Sequence, residues 1–199
     1  MTAKIRSVTA RIIRQLWSDG AYDKATLAAL RSSNSILNRN ATAVWPLLLS
    51  NMEKGELSRD GRPTYAEQAV YAALRCYAIY QQGKNSEHLV YAPTGKDGDG
   101  QELFTALSGL RKVEDTRQAL DRRVQTVLGN SNPESVINTI YHLVAILKSR
   151  SSQATIDFAR LAQDLYYFQL NSELARQICL KWGQQYYYVA KNEKIKEEN

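Results

Sequence analysis

Apolar residues recur at three- and four-residue steps along nearly the whole chain, which is the periodicity of helices that bury one face. Ile5, Val8, Ile12 and Leu16 form the first stripe, predicting a helix over 5–17, with Lys4, Arg11 and Arg14 on the opposite face. A second helix is expected from Ala21 to Leu30, carrying Leu27 and Leu30, and Val44–Leu49 reads as an apolar plug with Pro46 in its first turn. Thr64 and Glu67 have the spacing of a capping box. The helix they open carries Ala66, Ala69/Val70, Ala73/Leu74 and Tyr77, and closes at Gln81-Gln82-Gly83, with Gly83 suited to a left-handed cap. Further helices are predicted over Gln101–Leu110, over Thr116–Leu128, and from Ser131-Asn132-Pro133-Glu134 to about Lys148. The last third organises the rest. Ile156, Ala159, Ala162, Leu165 and Tyr166 make one stripe; Leu174, Ile178, Lys181/Trp182 and Tyr186 make another. A turn near Asn171 and a helix start at Ser172-Glu173 fold them into an antiparallel hairpin. No strand-like alternation of useful length occurs, so the fold class is all-α with about eight or nine helices.

Residues 84–100 break this pattern. Pro93, Gly95, Gly98 and Gly100 alternate with Lys and Asp, which predicts a flexible connector. Its TGKDGDG run lacks the spacing and preceding strand of a phosphate loop, and the following Glu of a calcium loop. The final nine residues, 191–199, are polar with mixed charge and are expected to fray.

Composition narrows the function more than the fold. The 199 residues are 44% hydrophobic and 23% charged, with no apolar run near the length of a membrane span and no leader-like start. A cytoplasmic protein without membrane contact is expected. Cys76 and Cys179 lie in helical patterns and read as buried small hydrophobes, and His142 reads as a core residue. His88 and His142 are far apart with no Cys spacing beside them, so no metal site is expected. No glycine-rich nucleotide loop, Cys/His pair or nucleophile elbow occurs, and the expectation is a binding or scaffolding protein without cofactor or catalytic residues.

The net charge of +6 favours polyanionic partners. Arg and Lys are spread evenly, 13 before residue 100 and 13 after it, so any nucleic acid would meet a distributed surface. Arg31 and Arg39 fall in or beside a polar loop; Arg75 and Lys84 lie on or just past the central helix. Arg111, Lys112, Arg117, Arg122 and Arg123 crowd one region, partly balanced by Glu114, Asp115 and Asp121. Arg122 and Arg123 point about 100° apart on a helix and so flank its stripe. Lys148 and Arg150 close a helix, Arg160 has Asp157 and Asp164 as possible partners, and Arg176 and Lys181 lie on the last helix. Trp182 and Tyr186–Tyr188 read as packing residues in preference to base-stacking ones.

Several of these segments, in order, resemble the CasB family, the small subunit of the type I-E CRISPR surveillance complex, Cascade. They are Leu27–Arg31, Glu67–Gly83, Leu120–Leu128 with its paired arginines, His142–Lys148, and the hairpin from Asp157 through Lys181-Trp182-Gly183 to Tyr186-Tyr187. The glycine-rich 91–105 stretch departs from the family pattern. The resemblance implies two small helical bundles, about 5–83 and 101–190. It implies a non-catalytic subunit meeting the phosphates of guide RNA and target DNA, beside other Cascade subunits and a second copy of itself. Residues in matching segments are Arg31, Arg75, Lys84, Arg122, Arg123 and Lys148. Arg39, Arg111, Lys112, Arg117, Arg150, Arg176 and Lys181 are added on charge and neighbourhood alone. The rival expectation is a helical adaptor that binds a protein through its Tyr/Trp-rich C-terminal hairpin.

Overall fold

Several helix starts in this chain are set by side chains that accept from the first free amides. A computed structural model describes residues 2–18, 21–84, 88–95, 98–150 and 154–188. Its helices are α1 (Thr2–Leu16), α2 (Lys24–Ser32), α3 (Trp45–Asn51), α4 (Tyr65–Gln81), α5 (Leu103–Gly109), α6 (Glu114–Gly129), α7 (Pro133–Arg150), α8 (Phe158–Leu170) and α9 (Ser172–Tyr187). Short 3-10 turns cover Arg39–Ala43 and Leu110–Lys112. Asp23 caps α2 through Thr26 N, and Thr64 and Glu67 form the reciprocal capping box of α4. Asp157 caps α8. Asn171 caps α9 by accepting from Leu174 N, one residue before the Ser172 start expected from the sequence.

The mostly helical fold holds. Among the described residues two antiparallel pairs also occur, β1 (Trp17–Ser18) with β2 (Ala21–Tyr22) and β3 (Thr94–Gly95) with β4 (Gly98–Asp99). Two-residue strands leave too short an alternation to be read from sequence. The predicted flexible connector is partly this second hairpin. Its glycines are needed for close approach: a Cβ on Gly98 would lie 2.1 Å from the Pro93 carbonyl oxygen, and one on Gly100 1.9 Å from that of Ala92. Gly83 has φ 80° and forms the left-handed turn expected after α4.

The buried apolar side chains form one continuous cluster. Although α8 follows the connector in sequence, it packs most extensively against α4 and α1, as well as on α9. Residues 154–157, just before α8, run as an extended strap. Ile156 pairs in parallel with both Tyr91 and Gln101, its amide donating to Val90 O at 2.9 Å, while Asp157 N donates to Gln101 O at 2.9 Å. Tyr80 OH, from inside α4, donates to Ala154 O at 3.0 Å.

Asp157 closes this junction. It is 1% exposed, and its Oδ1 accepts Arg160 N at 2.8 Å to cap α8. Its Oδ2 takes the Arg6 guanidinium at 2.6 Å, Thr94 N at 2.8 Å and the Thr94 hydroxyl at 2.9 Å. One carboxylate thereby joins α1, the connector and α8. Two turns further along α8, buried Asp164 accepts Lys181 Nζ at 2.7 Å and Trp182 Nε1 at 3.1 Å. The Trp182 ring lies between Phe104 and Phe168, with centroids 4.9 and 6.0 Å away and interplanar angles of 20° and 10°.

Some side chains differ from expectation. Cys76 and Cys179 are buried as expected, but His142 is exposed, because Ile140, Leu143, Val144 and Leu147 take the inward face of α7. Trp182 and Tyr186 pack inside, whereas Tyr187 and Tyr188 are exposed, since α9 ends at Tyr187 beyond its last core neighbour. The apolar plug is only half buried: Val44 and Leu48 are inside, Trp45 and Leu49 at the surface. The predicted tail 191–199 lies outside the described residues.

Arg6→Met leaves the Asp157 charge buried without its ionic partner and should cost about 3 kcal/mol. Adding Asp157→Asn should recover part of that loss, since Asn also caps a helix and no charge then stays unpaired. Urea unfolding of the four members of the cycle checks this; no recovery would mean that Thr94 and the α8 amides hold Asp157 without help from Arg6.

Candidate nucleic-acid interface

Three helices end at the same place, and each ends in a cation. Arg31 lies in the last turn of α2, Lys84 follows the Gly83 turn after α4, and Lys148 lies in the last turn of α7. Burial first, then the charges of Arg31 and Lys84, hold the Lys148 ammonium below its ordinary value. Like charges are therefore gathered here. Lys148 Nζ donates to Gln82 Oε1 at 2.9 Å, and the Lys84 ammonium sits 5.5 Å from the Tyr80 ring centroid. No carboxylate pairs with Arg31 or Lys148 among the described residues.

Helix dipoles account for part of this arrangement. Each C-terminus carries roughly half a negative charge, so three of them offset about half of three full cations.

Arg75 has a different task. Its guanidinium lies 4.2 Å from the Tyr141 centroid and donates to Arg31 O at 3.4 Å, so it secures the end of α2 instead of facing outward. Gln81 does the same for the α4 end: its amide donates to Tyr22 OH and His88 O and accepts from Val90 N.

The other candidates fall into three groups. Arg39, Arg122, Arg123 and Arg150 are exposed and have no carboxylate partner among the described residues. Arg111, Lys112 and Arg117 line one groove of about 410 Å3 together with Tyr186 and Tyr188. Arg111 is pinned there by a two-pronged bond to Asp121 at 2.9 and 3.2 Å, which holds the Asp121 carboxyl below the usual carboxylate range. Arg117 makes a looser 3.7 Å pair with Glu114. Arg176 and Lys181 serve the fold: Arg176 donates to Leu128 O at the end of α6, and Lys181 bridges Asp164 and Glu102, both at 2.7 Å. Lys181 is turned inward and does not join the cationic surface. Arg160 pairs by its side chain with Asp164 at 3.7 Å and caps toward Asp157 only by its amide.

Charge and family resemblance singled out the cations and gave no sign of the roles of Gln82, which orients Lys148, or of Gln81, which folds the chain over the end of α4. Among the described residues no group of three or more His, Cys, Asp or Glu could hold a metal ion, and no helix is long and apolar enough to cross a membrane.

The class defined by this geometry is a mostly helical protein with cations gathered where three helices end. The family model of CRISPR-associated protein Cse2 matches residues 26–187, and the chain belongs to that family. Solved structures share the fold over almost their whole length. CasB from Thermobifida fusca is 21% identical with a TM-score of 0.63, covering 94% of this chain and 97% of that one. A chain of a CRISPR RNA-guided surveillance complex is 16% identical with a TM-score of 0.68, covering 98% of this chain and 99% of that one. CasB from M. ruber is 17% identical with a TM-score of 0.66, covering 98% and 96%. At these identities the likeness is one of fold. Among curated proteins none matches the chain.

Two lysine substitutions separate surface charge from structural charge. Lys148→Gln should leave stability within about 0.5 kcal/mol, because its charged neighbours repel it. Lys181→Gln should cost about 3 kcal/mol by leaving buried Asp164 without its ammonium. Thermal melts of the two variants side by side check this, and equal losses would contradict it.

Proposed function

We propose that the chain is the small subunit of a type I-E CRISPR surveillance ribonucleoprotein and takes no catalytic part in it. It meets the phosphate backbone of guide RNA and target DNA through Arg31, Lys84 and Lys148, with Arg39, Arg122, Arg123 and Arg150 extending the surface. The observation that carries this reading is the gathering of like charges at three helix ends, in a chain of the Cse2 family. A cluster of gathered cations is stabilised by polyanion phosphates, and such binding is independent of sequence and sensitive to salt. Base pairing within the ribonucleoprotein would read sequence, while this subunit holds backbone and steadies the opened target. Other subunits of the complex, and a second copy of the chain, are its protein partners in this reading.

Exposed Leu180 (65%) and Leu170 (38%) on the C-terminal hairpin favour a second role, as an adaptor surface for a protein partner. Leu180→Ser would weaken that contact without changing salt dependence.

Replacing Arg31, Lys84 and Lys148 together by Gln tests the main reading. In the assembled complex, log affinity for target DNA against log salt should lose about one unit of slope per cation removed, about three in all. The far-ultraviolet circular dichroism spectrum should stay unchanged. An unaltered slope would remove these residues from the interface.

A further inference from the structure

The helix-end cluster offers charge but no free aromatic face. The groove formed by α5, the Leu110–Lys112 turn, the start of α6 and the end of α9 offers both. Its volume of about 410 Å3 is that of a pocket for a small ligand, large enough for one nucleotide.

Its walls divide by chemistry. Arg111, Lys112 and Arg117 line it, and no carboxylate does. Asp121 accepts from Arg111 and from Tyr186 OH at 2.6 Å, and the long 3.7 Å pair of Glu114 with Arg117 is between exposed side chains that a phosphate can displace. Asp121 thereby fixes Arg111 in place, with its guanidinium 5.2 Å from the Tyr186 centroid and 5.0 Å from that of Tyr187. Thr105 and Ser108 add hydroxyl-bearing side chains to the wall. Tyr188, at the mouth, is 75% exposed, so one of its ring faces is open to a planar partner.

We infer that this groove takes one unstacked nucleotide of a single strand, its base against the Tyr188 ring and its phosphate at Lys112 and Arg117. The inference rests on the backbone-binding reading above and adds a requirement for a base. Cations alone would accept any phosphate chain; an open aromatic ring rewards a strand whose bases are free, and a duplex keeps its bases stacked. The chain then has two loci of different selectivity, one for backbone only and one for single strands.

Fluorescence anisotropy of the full chain, with a twelve-residue oligothymidylate and an abasic strand of the same length as probes, separates these contributions. At one fixed low salt the oligothymidylate should bind about tenfold tighter, as expected for a single stacked base. Tyr188→Ala should abolish that difference and leave the abasic affinity where it was; Tyr188→Phe should retain it. The Arg31, Lys84 and Lys148 triple Gln variant should weaken both strands alike. Equal, salt-sensitive binding of the two strands by the unsubstituted chain would overturn the groove and leave the backbone reading standing. Loss of both affinities in Tyr188→Ala would also overturn the groove. Binding of neither strand would overturn both readings.

Discussion

The Asp157 carboxylate is the constraint on which the arrangement of this molecule depends. It is fully withdrawn from water, yet it accepts four hydrogen bonds, from the α8 amide, Thr94 twice and Arg6. A buried carboxylate is costly unless its oxygens are all occupied, and here the donors come from three separated parts of the chain. Satisfying it forces α1, the connector and α8 to meet. The strap at Ile156 then runs between Val90 and Gln101, and the end of α4 is folded over by Gln81.

That junction also decides where charge appears. With α8 seated on α4 and α1, helix α7 lies along α4, and the C-terminal ends of α2, α4 and α7 come together. Arg31, Lys84 and Lys148 share a site because three backbones end there, not because any pair of them attracts. Lys181 shows the contrast. It carries the same charge one helix away, but two carboxylates hold it and it contributes cohesion. The number of positive residues is therefore a poor measure of a surface; what matters is where the fold places them.

Much of the helical framework was legible in the sequence because single side chains fix it locally. The Thr64/Glu67 box, the Pro133 start, the Gly83 turn and the apolar stripes of α1 and the last hairpin act within a few residues of themselves. What depends on distant partners was not legible. The link from Arg6 to Asp157 spans 151 positions, and nothing near either residue announces it. The glycines of the connector look like flexibility in sequence, but Gly98 and Gly100 are required by the backbone of Ala92 and Pro93 pressing on them. His142 was misjudged because its apolar neighbours suggest burial while the helix phase turns it to solvent. The candidate cations were picked by charge and by family resemblance, and only tertiary packing showed that Arg75 and Lys181 turn inward.

The central claim of the proposed function is that the cations gathered at three helix ends meet phosphate in the assembled ribonucleoprotein. Lysine acetylation footprinting of that assembly, with and without its nucleic acid, measures this at the residues concerned. The account predicts that Lys84 and Lys148 lose reactivity when nucleic acid is present, while exposed Lys54, on the loop after α3, keeps its own. Unchanged reactivity at Lys84 and Lys148 would contradict it.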